Sequence, residues 1–165
     1  MLTLDRMDAE LAPIQFEAAA DLDAAPEVAF ALISDHRRLP SWIPGLRRVE
    51  VDESQALSPG GVGTRRTLYP VVGPFGVEVV VEFEPPRRMA YSASDASLRG
   101  LLTRHRAELW CEPSAAGTRV RWVVRGVPAR TWWKRMLAWL FVRHAQRAGL
   151  ANLRRHFAAQ RAISV

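Results

Sequence analysis

The 165-residue chain is 48% hydrophobic and 24% charged with a formal net charge of +6, a composition that excludes a disordered or fibrous protein and fits one globular domain. Its single cysteine, Cys111, excludes an intramolecular disulfide framework and any multi-cysteine metal site. The charge is unevenly placed: beyond Glu112 stand eleven Lys or Arg and no acid, whereas the first 112 residues hold twelve bases and seventeen acids.

The N-terminus, MLTLDRMDAE, lacks the apolar core of a signal peptide, and no stretch reaches the roughly 20 apolar residues of a membrane span. The reading is therefore cytoplasmic, with a flexible leader over 1–12 and one domain over 13–165. Ile14, Phe16, Ala18, Ala20 and Leu22 alternate with polar residues and predict a half-buried strand. Pro26 and Glu27 suit the first turn of a helix that carries Val28, Leu32 and Ile33 inward and stops near Asp35. Pro40 and Pro44 limit the following segment, His36 to Ile43, to one short helical turn and a loop.

Strands are expected at 46–53, 62–70, 76–84, 88–95, 101–112 and 118–127, separated by turn chemistry such as Ser58-Pro59-Gly60-Gly61 and Pro85-Pro86. Alternation assigns their faces. Val77, Val79, Val81 and Phe83 share one side of their strand; Thr103, His105, Ala107, Leu109 and Cys111 share one side of theirs, as do Val120, Trp122 and Val124. Tyr91 falls with Met89 and Ala93. Arg66 and Tyr69 lie on opposite faces, so only one can point inward. Trp110 falls on the charged face, positioned to stack on an arginine.

The last segment, about 130–161, reads as one long helix. Trp139, Val142, Gln146, Leu150, Leu153 and Phe157 form its apolar stripe, and Gly149 permits close backbone approach. Its first turns, with Trp132, Trp133, Met136, Leu137, Leu140 and Phe141, are apolar almost all round and need a cover. A helix of this length after a run of strands requires a concave sheet to lie in. The expected core comprises Val79, Val81, Phe83, Leu109, Trp122, Leu150, Leu153 and Phe157. The small residues Ala93, Thr103 and Ala107 predict a hollow beneath the helix.

Three stretches carry a family resemblance. Asp35-His36-Arg37-Arg38-Leu39-Pro40-Ser41-Trp42-Ile43-Pro44 is similar to a D-x4-P-x-W-x-P signature. Gly61-Val62-Gly63-Thr64-Arg65 is similar to a G-x-G-T-R strand start, and Glu84-Pro85-Pro86-Arg87 to an E-P-P-R turn. In this order, over about residues 14–161, the chain resembles the START-like SRPBCC superfamily in its bacterial polyketide cyclase/dehydrase and lipid-transport branch. The resemblance implies an α+β helix-grip fold. Two short helices follow the first strand, and a seven-stranded curved antiparallel sheet wraps a long C-terminal helix around an apolar cavity. It also implies a hydrophobic small-molecule ligand; only some relatives are enzymes, and the signature residues are structural.

Three functional readings follow. The first is a carrier for a lipid, polyketide or quinone-like molecule, with Trp42, Phe75, Val81, Tyr91, Thr103, His105 and Trp122 as ligand-binding residues and Trp42 and Phe75 near the mouth. The second is an aromatase/cyclase-type enzyme in which His105 and Tyr91 are the catalytic candidates, because a His and a Tyr can move the protons of an enolisable ketone. The third is a basic module peripheral to an anionic membrane, using Trp132, Trp133, Trp139, Arg143 and Arg147. The same exposed tryptophans also suit a homodimer interface. No groove-reading motif is present, so nucleic acid is not the expected partner. The four histidines show no metal-ligand spacing, and neither a nucleophile elbow nor a dinucleotide fingerprint occurs, so neither metal nor cofactor is expected.

Overall fold

The computed structural model describes residues 14–73, 75–93 and 101–163. The leader expected over 1–12 and the end of the strand expected at 88–95 lie outside them. The elements are β1 (Ile14–Leu22), α1 (Pro26–Ser34), a 3-10 helix (His36–Ser41), β2 (Leu46–Asp52), β3 (Arg65–Pro70), β4 (Gly76–Glu84), β5 (Arg88–Ala93), β6 (Leu102–Ser114), β7 (Gly117–Pro128) and α2 (Trp132–Ile163). The strands form one curved antiparallel sheet in the order β1-β7-β6-β5-β4-β3-β2. The two helical segments carry the chain from one edge strand to the other. This is the expected helix-grip architecture.

Pro26 opens α1 with Glu27 in its first turn, and the helix buries Ala29, Phe30, Leu32 and Ile33. Val28 is exposed instead of inward, because the buried stripe centres one residue further round the helix. The Asp35 carboxylate then accepts a hydrogen bond from the Arg37 backbone N–H and caps the 3-10 helix.

Register explains the inner face. Phe16, Val124, Ala107, Tyr91 and Val80 are successive cross-strand partners from β1 to β4. Ala18, Trp122, Leu109 and Met89 make the next layer. Besides a register shift in β2 between Leu46 and Arg48, bulges in β4 and β6 interrupt the alternation. In β4 the register shifts between Val80 and Glu82, so Glu78 and Val80 face inward and Val79 is exposed. Val81 is only half-buried, and Phe83, beyond the bulge, packs against the core. Val79 and Val81 are therefore not the core residues that unbroken alternation predicts. In β6 the register shifts between Thr103 and Arg106, with Arg104 at a φ of 49°. Gly126 accommodates this bulge, since a Cβ there would stand 3.3 Å from the Thr103 carbonyl oxygen. Leu102 is buried in the place expected for Thr103, whose hydroxyl points to the Val127 carbonyl.

Helix α2 packs mainly on β1 and β7. Val142, Gln146, Leu150, Leu153 and Phe157 are buried along it. Trp139 departs from the expected stripe: it is exposed, and Ala138 takes the inward position. The Gln146 amide donates to the Trp122 carbonyl at 2.9 Å, and the Asn152 amide donates to the Trp42 carbonyl at 2.9 Å. Gly149 allows this approach, because a Cβ would lie 3.2 Å from the Trp122 ring. The outer face of the sheet is charged. There Glu108 pairs with Arg125 at 2.7 Å, and the Trp110 ring lies under Arg88 at 4.3 Å and Arg121 at 5.2 Å.

Candidate functional site

Between the 3-10 helix and its following loop, strands β2 to β7 and the first half of α2 lies a cavity of about 290 Å³. That volume falls at the lower end of small-molecule sites. Its walls are apolar, with Leu39, Ile43, Leu46, Leu68, Val124 and Val142 prominent. Trp42 and Trp122 meet edge to face at 5.8 Å and close its base against Gly149. At the opposite side Val71, Val72, Phe75 and Phe141 border the cavity while remaining exposed, and so form its mouth.

Arg66, Glu78, Tyr91 and His105 on the cavity wall form one polar cluster, backed by His36. Arg66 and Glu78 are cross-strand partners and form an ion pair, Arg66 Nε donating to Glu78 Oε2 at 2.7 Å, with the Arg66 residue only 2% exposed. Arg66 Nη1 donates to His36 Nδ1 at 3.2 Å, and His36 Nε2 donates to the Gly60 carbonyl at 2.9 Å; this pattern assigns the Nε2–H tautomer. The guanidinium also stacks over the Tyr91 ring, 4.0 Å from its centroid. Tyr91 in turn meets His105 edge to face at 6.0 Å.

Burial and the neighbouring charges set the protonation states. Burial, with the Arg66 charge acting in the same direction, lowers the pKa of His36. Burial likewise lowers that of His105; Glu78 opposes the shift and Arg66 adds to it. Burial, followed by Glu78, raises the phenol of Tyr91, against smaller lowering contributions from Arg66 and Trp122. Both histidines are therefore neutral and Tyr91 is protonated at neutral pH. The cluster contains one cation and one anion in contact, so it presents hydrogen-bonding groups without net charge. His105 Nδ1 and Trp42 Nε1 are buried without a hydrogen-bond partner among the described residues.

A family profile described as polyketide cyclase/dehydrase and lipid transport matches residues 13–158. The chain belongs to this family. An uncharacterized protein of Mycobacterium tuberculosis is 30% identical over 92 residues, 56% of this chain and 53% of that protein; a Mycobacterium bovis protein matches to the same extent. The chain thus spans about half the length of the curated relatives it matches. Solved structures share the family fold. XoxI of Bacillus cereus has a TM-score of 0.71 at 20% identity, covering 87% of this chain and 95% of that one. The di-domain ARO/CYC StfQ from the steffimycin biosynthetic pathway has a TM-score of 0.73 at 18% identity, covering 96% and 54% respectively. Norcoclaurine synthase of Thalictrum flavum has a TM-score of 0.69 at 12% identity, covering 92% and 98%. At these identities the likeness establishes the fold alone.

Within the family fold, Trp42, Phe75, Tyr91, His105 and Trp122 border the cavity. Val81 and Thr103 do not, because the bulges in β4 and β6 turn them away. The expected hollow is displaced as well. Ala107 pairs with Tyr91 and Val124, whose larger side chains cover it, and the space lies instead beside Leu68, Gly76 and Ala145. Sequence reasoning missed Glu78 and His36 and held Arg66 only as an alternative to Tyr69. Tyr69 turns outward, its hydroxyl donating to Glu50 at 2.8 Å. The available signal was the alternation of Arg66 with Leu68 in β3, which groups this arginine with an apolar residue.

Proposed function

We propose that the protein binds a neutral, largely apolar small molecule bearing a carbonyl or hydroxyl oxygen, of lipid, polyketide or quinone type. The observation that carries this reading is the combination of apolar walls with a charge-compensated polar cluster of Arg66, Glu78, Tyr91 and His105. A ligand carboxylate or ammonium would enter a low-dielectric space whose one cation and one anion already satisfy each other. A neutral oxygen needs only a donor, and the Tyr91 hydroxyl and the Arg66 guanidinium are the donors at hand. Membership of a family described by both cyclase/dehydrase and lipid-transport activities supports a small apolar ligand without choosing between them.

Quenching of tryptophan fluorescence by 2-naphthol and by 2-naphthoate tests the reading. Saturable binding of naphthol, stronger than that of naphthoate, is expected. Ala145→Trp, which extends from α2 into the cavity, should abolish it while the denaturation midpoint changes little. Naphthol binding that survives Ala145→Trp would place the ligand elsewhere.

A second reading rests on the Tyr91–His105 contact. A protonated phenol and a neutral imidazole beside one cavity are the acid and base that an enolisation followed by aldol closure requires. StfQ, named as an aromatase/cyclase, has a similar fold. If the protein is such an enzyme, His105→Ala retains naphthol binding and loses turnover of a poly-β-ketone substrate. Absence of product from the parent protein as well leaves the carrier.

A further inference from the structure

We propose that the start of α2 and the β3–β4 turn together dock on an anionic lipid surface, with the cavity mouth held against it. The proposal rests on the cavity reading above and supplies that cavity with a partner. Large apolar side chains on this side are uncovered: Trp132 is 73% exposed, Leu140 50%, Val72 67% and Phe75 56%. Trp133, Met136 and Trp139 of α2 are exposed as well, and exposed apolar area of this extent marks an interaction site. Two of its members, Phe75 and Phe141, also border the cavity. Phe75 on the β3–β4 turn and Phe141 on α2 thus bring exposed apolar side chains of two elements far apart in sequence to the mouth.

The charges around the patch choose the occupant. Lys134 lies over the Trp133 ring, 5.5 Å from its centroid, and Arg143 over the Trp139 ring at 4.7 Å, so cations stand over the faces of exposed indoles. No acid occurs anywhere after Glu112. Indole rings at the depth of the headgroups, with arginine and lysine at the phosphates, describe an amphipathic helix in a membrane interface. A second copy paired about a two-fold axis would bring two like-charged helix starts together. Among the described residues no helix is long and apolar enough to cross a membrane, so the contact is with the surface.

Co-sedimentation with vesicles of phosphatidylcholine alone, or of phosphatidylcholine and phosphatidylserine, tests the proposal with the full chain. Partitioning onto the anionic vesicles at low salt is expected, falling steeply as salt shortens the screening length. Replacing Trp132, Trp133 and Trp139 together by Ala should weaken it by about tenfold or more, the effect of losing at least one well-buried aromatic. Arg143→Glu with Arg147→Glu should weaken it too. Both sets of variants should bind naphthol as the parent does in vesicle-free buffer. Equal partitioning onto both vesicle types, or none onto either, overturns the proposal. A stable dimer that the tryptophan variant converts to monomer also overturns it, in favour of a second copy. Docking that fails while naphthol binding persists leaves the cavity reading standing. Docking that persists without naphthol binding removes the cavity reading and retains only the lipid surface.

Discussion

Arg66 is held by three groups at once: the Glu78 carboxylate, the His36 imidazole and the Tyr91 ring. Removing one member of a buried pair leaves the other charge uncompensated, which costs roughly 3–5 kcal/mol, whereas replacing both with apolar residues of similar size is often nearly neutral. Arg66→Met should therefore destabilise strongly, and Arg66→Met with Glu78→Leu should recover most of the loss in chemical denaturation. Losses that simply add would show that the charges do not depend on each other. The histidines set a second expectation. His36 and His105 have folded-state pKa values below the usual value near 6.5. As pH falls through about 6.5 the unfolded chain takes up protons first, so stability present above that pH is lost below it. The denaturation midpoint should drop between about pH 7.5 and 5.5, above the range where carboxylates titrate. His36→Gln should flatten part of the slope, and a midpoint independent of pH across this window would contradict the neutral buried state. Cys111 completes the residue scale. Burial pushes its thiol up to about 12, so it should resist a disulfide reagent at pH 8 until the protein is denatured.

At the scale of elements, what was legible in the sequence is what period and turn chemistry encode. All seven strands and the long helix follow from periodicity, and Tyr91, His105, Leu109 and Trp122 are buried on the face that alternation gives them; from Arg106 to its end β6 carries no register shift. The failures sit where a bulge adds one residue. Val81 is the extra residue of β4, and from there the strand's phase differs from its first half. Glu78 is inward because of that shift, and no count of apolar residues would place a glutamate there; its partner is Arg66, on a separate strand. The misplacement of Trp139 has another cause: the helix start is apolar almost all round, and Lys134 and Arg135 alone do not orient the stripe. The long helix makes two stability expectations concrete. Leu153 is fully buried, and Leu153→Ala should cost roughly 2–5 kcal/mol. Gly149→Ala gains up to about 1 kcal/mol of helix propensity. Its Cβ, however, would press the Trp122 ring at 3.2 Å, an overpacking that typically costs about 1–3 kcal/mol. A net loss in the thermal midpoint is expected. A net gain would mean that the Trp122 indole yields freely and that the base of the cavity is soft.

At the scale of the whole molecule, the cavity is the part of the fold that packing leaves incomplete. The sheet and α2 are already joined beneath it through Leu150, Leu153 and Phe157 and the Gln146 amide, and the Asn152 amide ties α2 to the Trp42 carbonyl after the 3-10 helix. The walls are therefore held by contacts within the protein. A molecule that binds the folded state alone raises stability by mass action, about 2.7 kcal/mol at a free concentration one hundred times its dissociation constant. Because the unliganded cavity does not hold the fold together, that gain should appear as a higher urea midpoint with the same dependence on urea concentration. An altered slope would indicate that the ligand changes how much surface the folded protein buries. The joined half of the fold and the cavity half would then order together only on loading. Ala145→Trp separates these outcomes further. With the indole occupying the space, the variant should show the parent's unliganded midpoint within about 1 kcal/mol and no longer respond to naphthol. A variant that is much less stable would instead show that the space beside α2 is already filled.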